Sequence, residues 1–157
     1  MTPSQKEIDQ LLLQLKDPEP KIRDQATEIL WKNWFWQKGV TGMEQLKRSQ
    51  LLIDEGKTEE AEATLTQLIA DHPDFAEAWN RRAVLYYLQQ DFQRSIDDCQ
   101  KTLQLVPFHF GALHGLGLCY AAQGEITLAI ETFTKALQIQ PHAILNKKLL
   151  LECMAKL

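Results

Sequence analysis

Three prolines recur at one fixed spacing from the middle of this sequence towards its C-terminal end. Pro73, Pro107 and Pro141 follow one another at intervals of 34 residues. A proline cannot continue a helix, because it lacks the backbone N–H and its ring collides with the preceding turn. A period of this length is typical of tandem repeats in which each unit is a pair of antiparallel helices. The spacing therefore predicts stacked helical hairpins and no strands.

Other positions keep the same period. Small residues recur at two positions, where they would let the two helices of a hairpin approach closely, and large residues recur at a third, where they would fill the space between hairpins. The small residues are Ser49, Ala83 and Gly117, with Ala61, Ser95 and Ala129 on the partner helices. The large residues are Leu52, Tyr86 and Tyr120.

Residues 110–143 resemble the tetratricopeptide repeat family at every signature position. Those positions hold Leu113, Leu116, Gly117, Tyr120, Ala129, Phe133, Ala136 and Pro141. The repeat at 76–109 departs from the family at Arg82, Cys99 and Thr102, and the repeat at 42–75 departs at Gln45 and Arg48. The resemblance implies an all-α fold, a right-handed α-solenoid of antiparallel helix hairpins. Its six helices are expected at 42–54, 58–71, 75–89, 92–105, 108–122 and 126–139.

The segments outside the repeats are also predicted to be helical. Residues 1–41 should form a helical hairpin that caps the array, beginning with a capping box between Ser4 and Glu7. A short stretch after Asp17-Pro18 resembles a HEAT repeat, and a generic hairpin is the alternative. Residues 144–157 are expected to form a capping helix that covers the last repeat. Its apolar residues are Ile144, Leu145, Leu149, Leu150 and Met154.

A run of aromatic residues, Trp31 to Trp36, lies in the N-terminal segment. One interpretation is that these rings pack on the first repeat, whose own pattern is irregular. The other is that Trp34 or Trp36 stays exposed and forms a second interface, since exposed aromatic residues are enriched in protein–protein contacts.

Charge and cysteine content restrict the partners. The net charge of −4 and the absence of a basic cluster argue against nucleic acid. Residues 102–124 contain no Asp, Glu, Lys or Arg, but Pro107, two histidines and several glycines argue against a membrane span. The N-terminal residues do not resemble a signal peptide. Three cysteines without a C-x-x-C pair favour a reducing compartment, so a cytoplasmic location is expected.

No motif in the sequence indicates catalysis, a cofactor or a metal site. His109, His114 and Cys119 follow one another at five-residue steps, which places them on different faces of a helix. There is no phosphate-binding glycine loop, no nucleophile elbow and no zinc-binding His pair. A cryptic Cys/His enzyme is kept only as an alternative.

The resemblance implies that function resides in the concave groove, which the first helix of each repeat lines. A protein–protein interaction adaptor, or scaffold, that binds a protein or peptide partner there is the favoured function. The expected groove residues are Gln50, Asn80, Arg81, Val84, Tyr87, His114 and Leu118. The uncharged helix 108–122 would present the centre of the binding patch. The alternatives are a groove covered by the terminal helices, and a structural subunit that self-associates, as a homo-oligomer, through the Trp-rich helix.

Some members of the family hold the C-terminal carboxylate of heat-shock chaperones with a clamp of Lys, Asn and Arg side chains. The corresponding positions here are Leu46, Gln50, Arg81, Gly111 and Gly115. With so few cationic donors, the sequence argues against recognition of a chaperone tail.

Overall fold

The computed structural model describes residues 2–157, and within this range the protein consists of nine α-helices. They are α1 (Gln5–Gln14), α2 (Pro20–Phe35), α3 (Gly39–Asp54), α4 (Thr58–Asp71), α5 (Ala76–Leu88), α6 (Phe92–Leu105), α7 (Phe110–Ala122), α8 (Ile126–Ile139) and α9 (Ile144–Met154). Helices α3 to α8 form three consecutive antiparallel hairpins that stack side by side. The expected all-α solenoid is thus confirmed.

The small residues of the repeat lie at the contact between the two helices of each hairpin, as the period predicts. Ser49, Ala83 and Gly117 are all buried. A methyl group added at Gly117 would lie 2.6 Å from the ring of Phe133 on α8, so this position cannot hold a larger residue without a shift of the ring. In the middle hairpin the hydroxyl of Ser95 donates to the Ala83 carbonyl at 2.7 Å.

The turn inside each hairpin needs one residue with a left-handed backbone. Gly56 and Gly124 have φ of +74° and +77°, which glycine adopts without steric cost. The equivalent residue of the middle hairpin is Gln90, with φ of +60°. A residue with a side chain is strained in this region of φ, so the middle turn carries a conformational cost that the two glycine turns avoid.

The N-terminal hairpin does not extend the array. Ser4 and Glu7 form the expected capping box at the start of α1. The N-terminal hairpin and the segment that joins it to α3 then lie along one edge of the solenoid and meet the turns that join successive repeats. Lys38, at the junction of α2 and α3, pairs with Asp74 in the first of these turns at 2.7 Å, and Trp34 of α2 packs on Phe108 in the second. Leu15 and Thr27 face Gln140 in the third.

A buried cluster of the N-terminal hairpin joins it to the repeats. Leu15, Ala26, Leu30 and Trp34 pack with Phe110, the first residue of α7. Phe35 joins the core of the first hairpin, as one interpretation of the aromatic run expected. Trp31 and Trp34 instead pack against the start of the third repeat.

Helix α9 covers the last repeat with only part of its apolar surface. Leu149, Leu150 and Cys153 pack on α8 around Phe133. Ile144 is 81% exposed, and Leu145 and Met154 are exposed as well, so the expectation that they cover the last repeat is wrong. The repeat register agrees with this, because residue 151, equivalent to Ser49, Ala83 and Gly117, is an exposed leucine, so α9 lacks the small contact residue of the preceding repeats.

Candidate functional site

Five of the seven predicted groove residues surround one pocket between α5 and α7. They are Asn80, Val84, Tyr87, His114 and Leu118. The pocket has a volume of about 210 Å³, and Ser95 and Cys99 of α6 also line it. Tyr87 is held by contact with Phe92, whose ring centre is 5.7 Å away. The stacking of the repeats therefore brings residues from three helices to one concavity.

The other two predicted residues lie beside this pocket and bind each other. The Arg81 guanidinium donates to the Gln50 side-chain oxygen at 2.6 Å and to the Glu77 carboxylate at 3.2 Å. It also lies over the ring of Phe35, at 4.9 Å from the ring centre. Since α2 and Glu77 already satisfy this cation, it is poorly placed to hold a partner's carboxylate.

A buried polar pair supports the floor of the groove, and the sequence analysis missed it. His109 and Glu77 are both fully buried, and His109 Nε2 lies 3.0 Å from Glu77 Oε2. Asn80 also donates to this carboxylate, at 3.3 Å. A signal was present, because His109 has the same place in the repeat as Phe75, which is buried at the start of α5.

The N-terminal hairpin closes the end of the groove that lies nearest the inter-repeat turns. A methyl group added at Gly111 would lie 2.6 Å from the ring of Trp31, so the first turn of α7 is in direct contact with α2. Trp34 stacks on His109 with 4.0 Å between the ring centres. Of the two residues of the predicted second interface, Trp34 is therefore 94% buried, while Trp36 is 46% exposed.

At the other side, α9 borders the groove. His114 Nδ1 lies 2.7 Å from the side-chain oxygen of Asn146 on α9, which fixes the orientation of the imidazole. Leu118 packs with the cluster of α8 and α9 around Phe133. The terminal helices thus narrow the groove from two sides, and the open part is bordered by Val84, Tyr87 and Leu118.

Cysteine chemistry at the pocket is suppressed. Cys99 lines the pocket, and burial raises the pKa of its thiol to about 12. Burial also raises the pKa of Cys119, whose sulfur lies 3.2 Å from the Ser95 hydroxyl. Neutral thiols are weak nucleophiles. Within residues 2–157 there is no group of three or more His, Cys, Asp or Glu residues arranged to hold a metal ion.

None of the helices in residues 2–157 is long and apolar enough to cross a membrane. The uncharged segment 102–124 is divided between the last turn of α6, the inter-repeat turn and α7, which has 13 residues and ends at Ala122.

Comparisons with known proteins agree with the repeat register. Two sequence models, both described as tetratricopeptide repeat, match residues 46–110 and 111–143. A TPR repeat-containing protein of Rhizobium etli is 33% identical over 137 residues, which is 85% of this chain and 66% of that protein. A BBSome complex member BBS4 homolog of Drosophila melanogaster is 26% identical over 152 residues, which is 96% of this chain but 30% of that protein.

Solved structures share the architecture. The first TPR of Spaghetti (RPAP3), bound to an HSP90 peptide, superposes with a TM-score of 0.70 at 18% identity, covering 73% of this chain and 90% of that one. MamA superposes with a TM-score of 0.68 at 25% identity, covering 71% of this chain and 66% of that one. These similarities cover 73% and 71% of this chain and establish the fold.

Proposed function

Since the chain belongs to the tetratricopeptide repeat family, we propose that it is a non-catalytic adaptor that binds a peptide segment of a partner protein in its concave groove. The observation that carries this proposal is the convergence of Val84, Tyr87 and Leu118 on one open apolar pocket. Extended and helical peptides are commonly held by apolar pockets of this kind. The complex of the Spaghetti TPR with a peptide supports the coarser point that a domain of this fold can hold a peptide segment.

The partner differs in chemistry from a chaperone tail. Two positions of the carboxylate clamp are Gly111 and Gly115, which carry no donor side chain. A third is Arg81, whose guanidinium is bound by Glu77 and Gln50. A terminal carboxylate entering the groove would lose its hydration without gaining a bidentate cation. We therefore assign the groove to segments recognised by apolar side chains.

The experiment is a selection of linear peptides from a phage-displayed random library on the full chain. Val84→Asp places a charge in the groove, and it should weaken the selected peptides by about tenfold or more. Leu128→Asp is the matched control, because Val84 and Leu128 are both 40% exposed and Leu128 lies on α8, outside the groove. Equal binding by the wild type and both variants would refute groove binding.

Self-association is the second candidate, and its support is narrower. Trp34 is used inside the chain, which leaves Trp36 as the exposed ring of the Trp-rich helix. Sedimentation of the wild type and Trp36→Ala across a range of concentrations tests it, since a mass independent of concentration excludes this candidate.

The three buried free cysteines support residence in a reducing compartment such as the cytoplasm.

A further inference from the structure

Gly115 has no structural reason to be a glycine. It lies in the middle of α7, and its backbone is not in the left-handed region that favours glycine. A methyl group added there would meet only the sulfur of Cys99, at 3.6 Å, which is an ordinary contact. This contrasts with Gly111 and Gly117, where an added methyl group would come within 2.6 Å of an aromatic ring. A mid-helix glycine destabilises a helix relative to alanine, so Gly115 costs stability without serving the packing.

What Gly115 provides is the space of the groove pocket. The residue with the same place in the middle repeat is Arg81, a long side chain. At Gly115 the pocket instead opens to the floor formed by Ser95 and Cys99, between Val84 on α5 and Leu118 on α7. Its volume of about 210 Å³ suits one large side chain and is too small for a helix.

The charge pattern around the pocket indicates which side chain fits. No Asp, Glu, Lys or Arg lines the pocket. A charged side chain would therefore lose its hydration there and gain no ionic partner. The flanking helices carry exposed charges of both signs. These are Lys47 and Asp54 on α3, and Lys148 and Glu152 on α9. The pocket is complementary to an uncharged group, and its surroundings favour neither sign.

The approach to the pocket is restricted. Trp31 covers Gly111, and Phe35 covers Arg81, so α2 blocks the end of the groove next to the inter-repeat turns. The other end is open along α5, where Val84 and Leu88 are exposed. A partner segment enters from that end, and the length of groove available to it is short.

We propose that the pocket left open by Gly115 is the specificity site of the groove, and that it takes one large uncharged side chain, aliphatic or aromatic, from a short segment of a partner protein. This inference rests on the proposed function. Interfaces commonly depend on one such anchor, which fills a desolvated pocket near their centre.

The test compares Gly115→Ala, Gly115→Leu and Thr127→Leu with the wild type, using the peptides selected from the phage library as probes. The selected peptides should share one Leu, Ile, Met, Phe or Trp, whose replacement by Lys removes binding. Gly115→Leu, which fills the pocket, should weaken them by about a hundredfold, and Gly115→Ala by about fivefold. Thr127→Leu adds the same side chain at an exposed position of α8 and should leave binding unchanged.

Gly115→Ala keeps the test decisive if Gly115→Leu fails to fold, because alanine fits at this position and should raise the melting temperature. Peptides that lose binding in Val84→Asp but not in either Gly115 variant would overturn the pocket inference and leave groove binding intact. Peptides that bind every variant equally, or a selection that yields none, would overturn both.

Discussion

His109 and Glu77 form a fully buried hydrogen bond of 3.0 Å that joins the start of α7 to the start of α5. Nδ1 of the same imidazole accepts from the backbone N–H of Ala112, at 3.0 Å, and so caps α7. An imidazole nitrogen that accepts carries no proton, so the proton is on Nε2 and is donated to Glu77. One side chain thus caps a helix and supports the groove floor.

Removal of His109 should destabilise the chain strongly. His109→Ala loses a helix cap, worth about 1 kcal/mol, and a buried hydrogen bond to a charged group, worth about 2 kcal/mol, so we expect a loss of about 3 kcal/mol. His109→Asn can still cap α7 but is too short to reach Glu77, and it should lose about 2 kcal/mol. Urea unfolding followed by circular dichroism measures both. If the two variants were as stable as the wild type, the pair would have no structural role.

Trp34 and Trp36 should differ sharply in their contribution to stability. Trp34 is buried against His109 and Phe110, so Trp34→Ala should lower the free energy of unfolding by about 3–5 kcal/mol. Trp36 is 46% exposed, and Trp36→Ala should change the free energy of unfolding by about 0.5 kcal/mol or less. Thermal unfolding of the two variants provides the comparison. Similar losses would contradict the placement of α2 along the repeats.

The middle turn can be improved. Gln90 has φ of +60°, where glycine carries no penalty, so Gln90→Gly should stabilise the chain by about 1 kcal/mol. Its neighbour Gln89 is the control, because its φ of −82° gives glycine no advantage and Gln89→Gly should be neutral or destabilising. The melting temperatures of the two variants are compared with that of the wild type. A loss of stability in Gln90→Gly would show that the turn is not strained.

Breaking the Arg82–Asp98 pair should lower the free energy of unfolding by an amount that depends on pH. Arg82 binds both carboxylate oxygens of Asp98, at 2.7 and 2.9 Å, yet burial outweighs this contact and raises the pKa of Asp98. Arg82→Met leaves a buried carboxylate unpaired and should cost about 3 kcal/mol at neutral pH.

The sign of the pH effect follows from that raised pKa. Between the native pKa of Asp98 and its unfolded pKa of about 3.9, the native state binds the proton more tightly than the unfolded state, so the free energy of unfolding increases as pH falls. Without Arg82 the native pKa of Asp98 moves still higher. The loss of unfolding free energy caused by Arg82→Met should therefore become smaller as pH falls. Arg82→Met combined with Asp98→Leu should recover most of the stability at neutral pH. Urea titrations at several pH values measure this, and a loss that does not vary with pH would contradict it.

The thiol in the groove should be inert. Burial raises the pKa of Cys99 to about 12, so the thiolate is scarce at any pH at which the chain is usually handled. Ellman's reagent should label the native chain slowly from neutral pH to pH 9, and labelling should become fast only when urea unfolds it. Cys99→Ser identifies the contribution of this residue. Rapid labelling of native Cys99 would show that its thiol is accessible and ionised.

The repeat period predicted the helices α3 to α8 well because each depends on residues close in sequence. Gly56, Gly124 and the three prolines mark the ends of helices, and the small residues mark their contacts. Five of the expected groove residues could be placed for the same reason, since the register fixes the face of each helix.

Contacts between distant segments could not be predicted in this way. Trp34 and His109 lie far apart in the sequence, and their stacking depends on the path that α2 takes across the turns. The exposure of Ile144 was missed for a related reason, because apolar spacing predicts a helix but does not specify how much of it a neighbour covers. Leu151, at a position where the preceding repeats carry small residues, indicates that α9 does not repeat their close helix contact.

The path of α2 has a consequence for how the chain unfolds. In a simple solenoid each repeat contacts only its neighbours, and the terminal repeats can fray independently. Here Trp34 of α2 contacts Phe110 at the start of the third repeat, and Lys38, just after α2, pairs with Asp74 in the first inter-repeat turn. One continuous segment thus connects the first and third repeats, and we expect loss of either end to disturb the other. We therefore expect the repeats to unfold as one cooperative unit, with more uniform protection against hydrogen exchange and slower folding than a simple array of the same length.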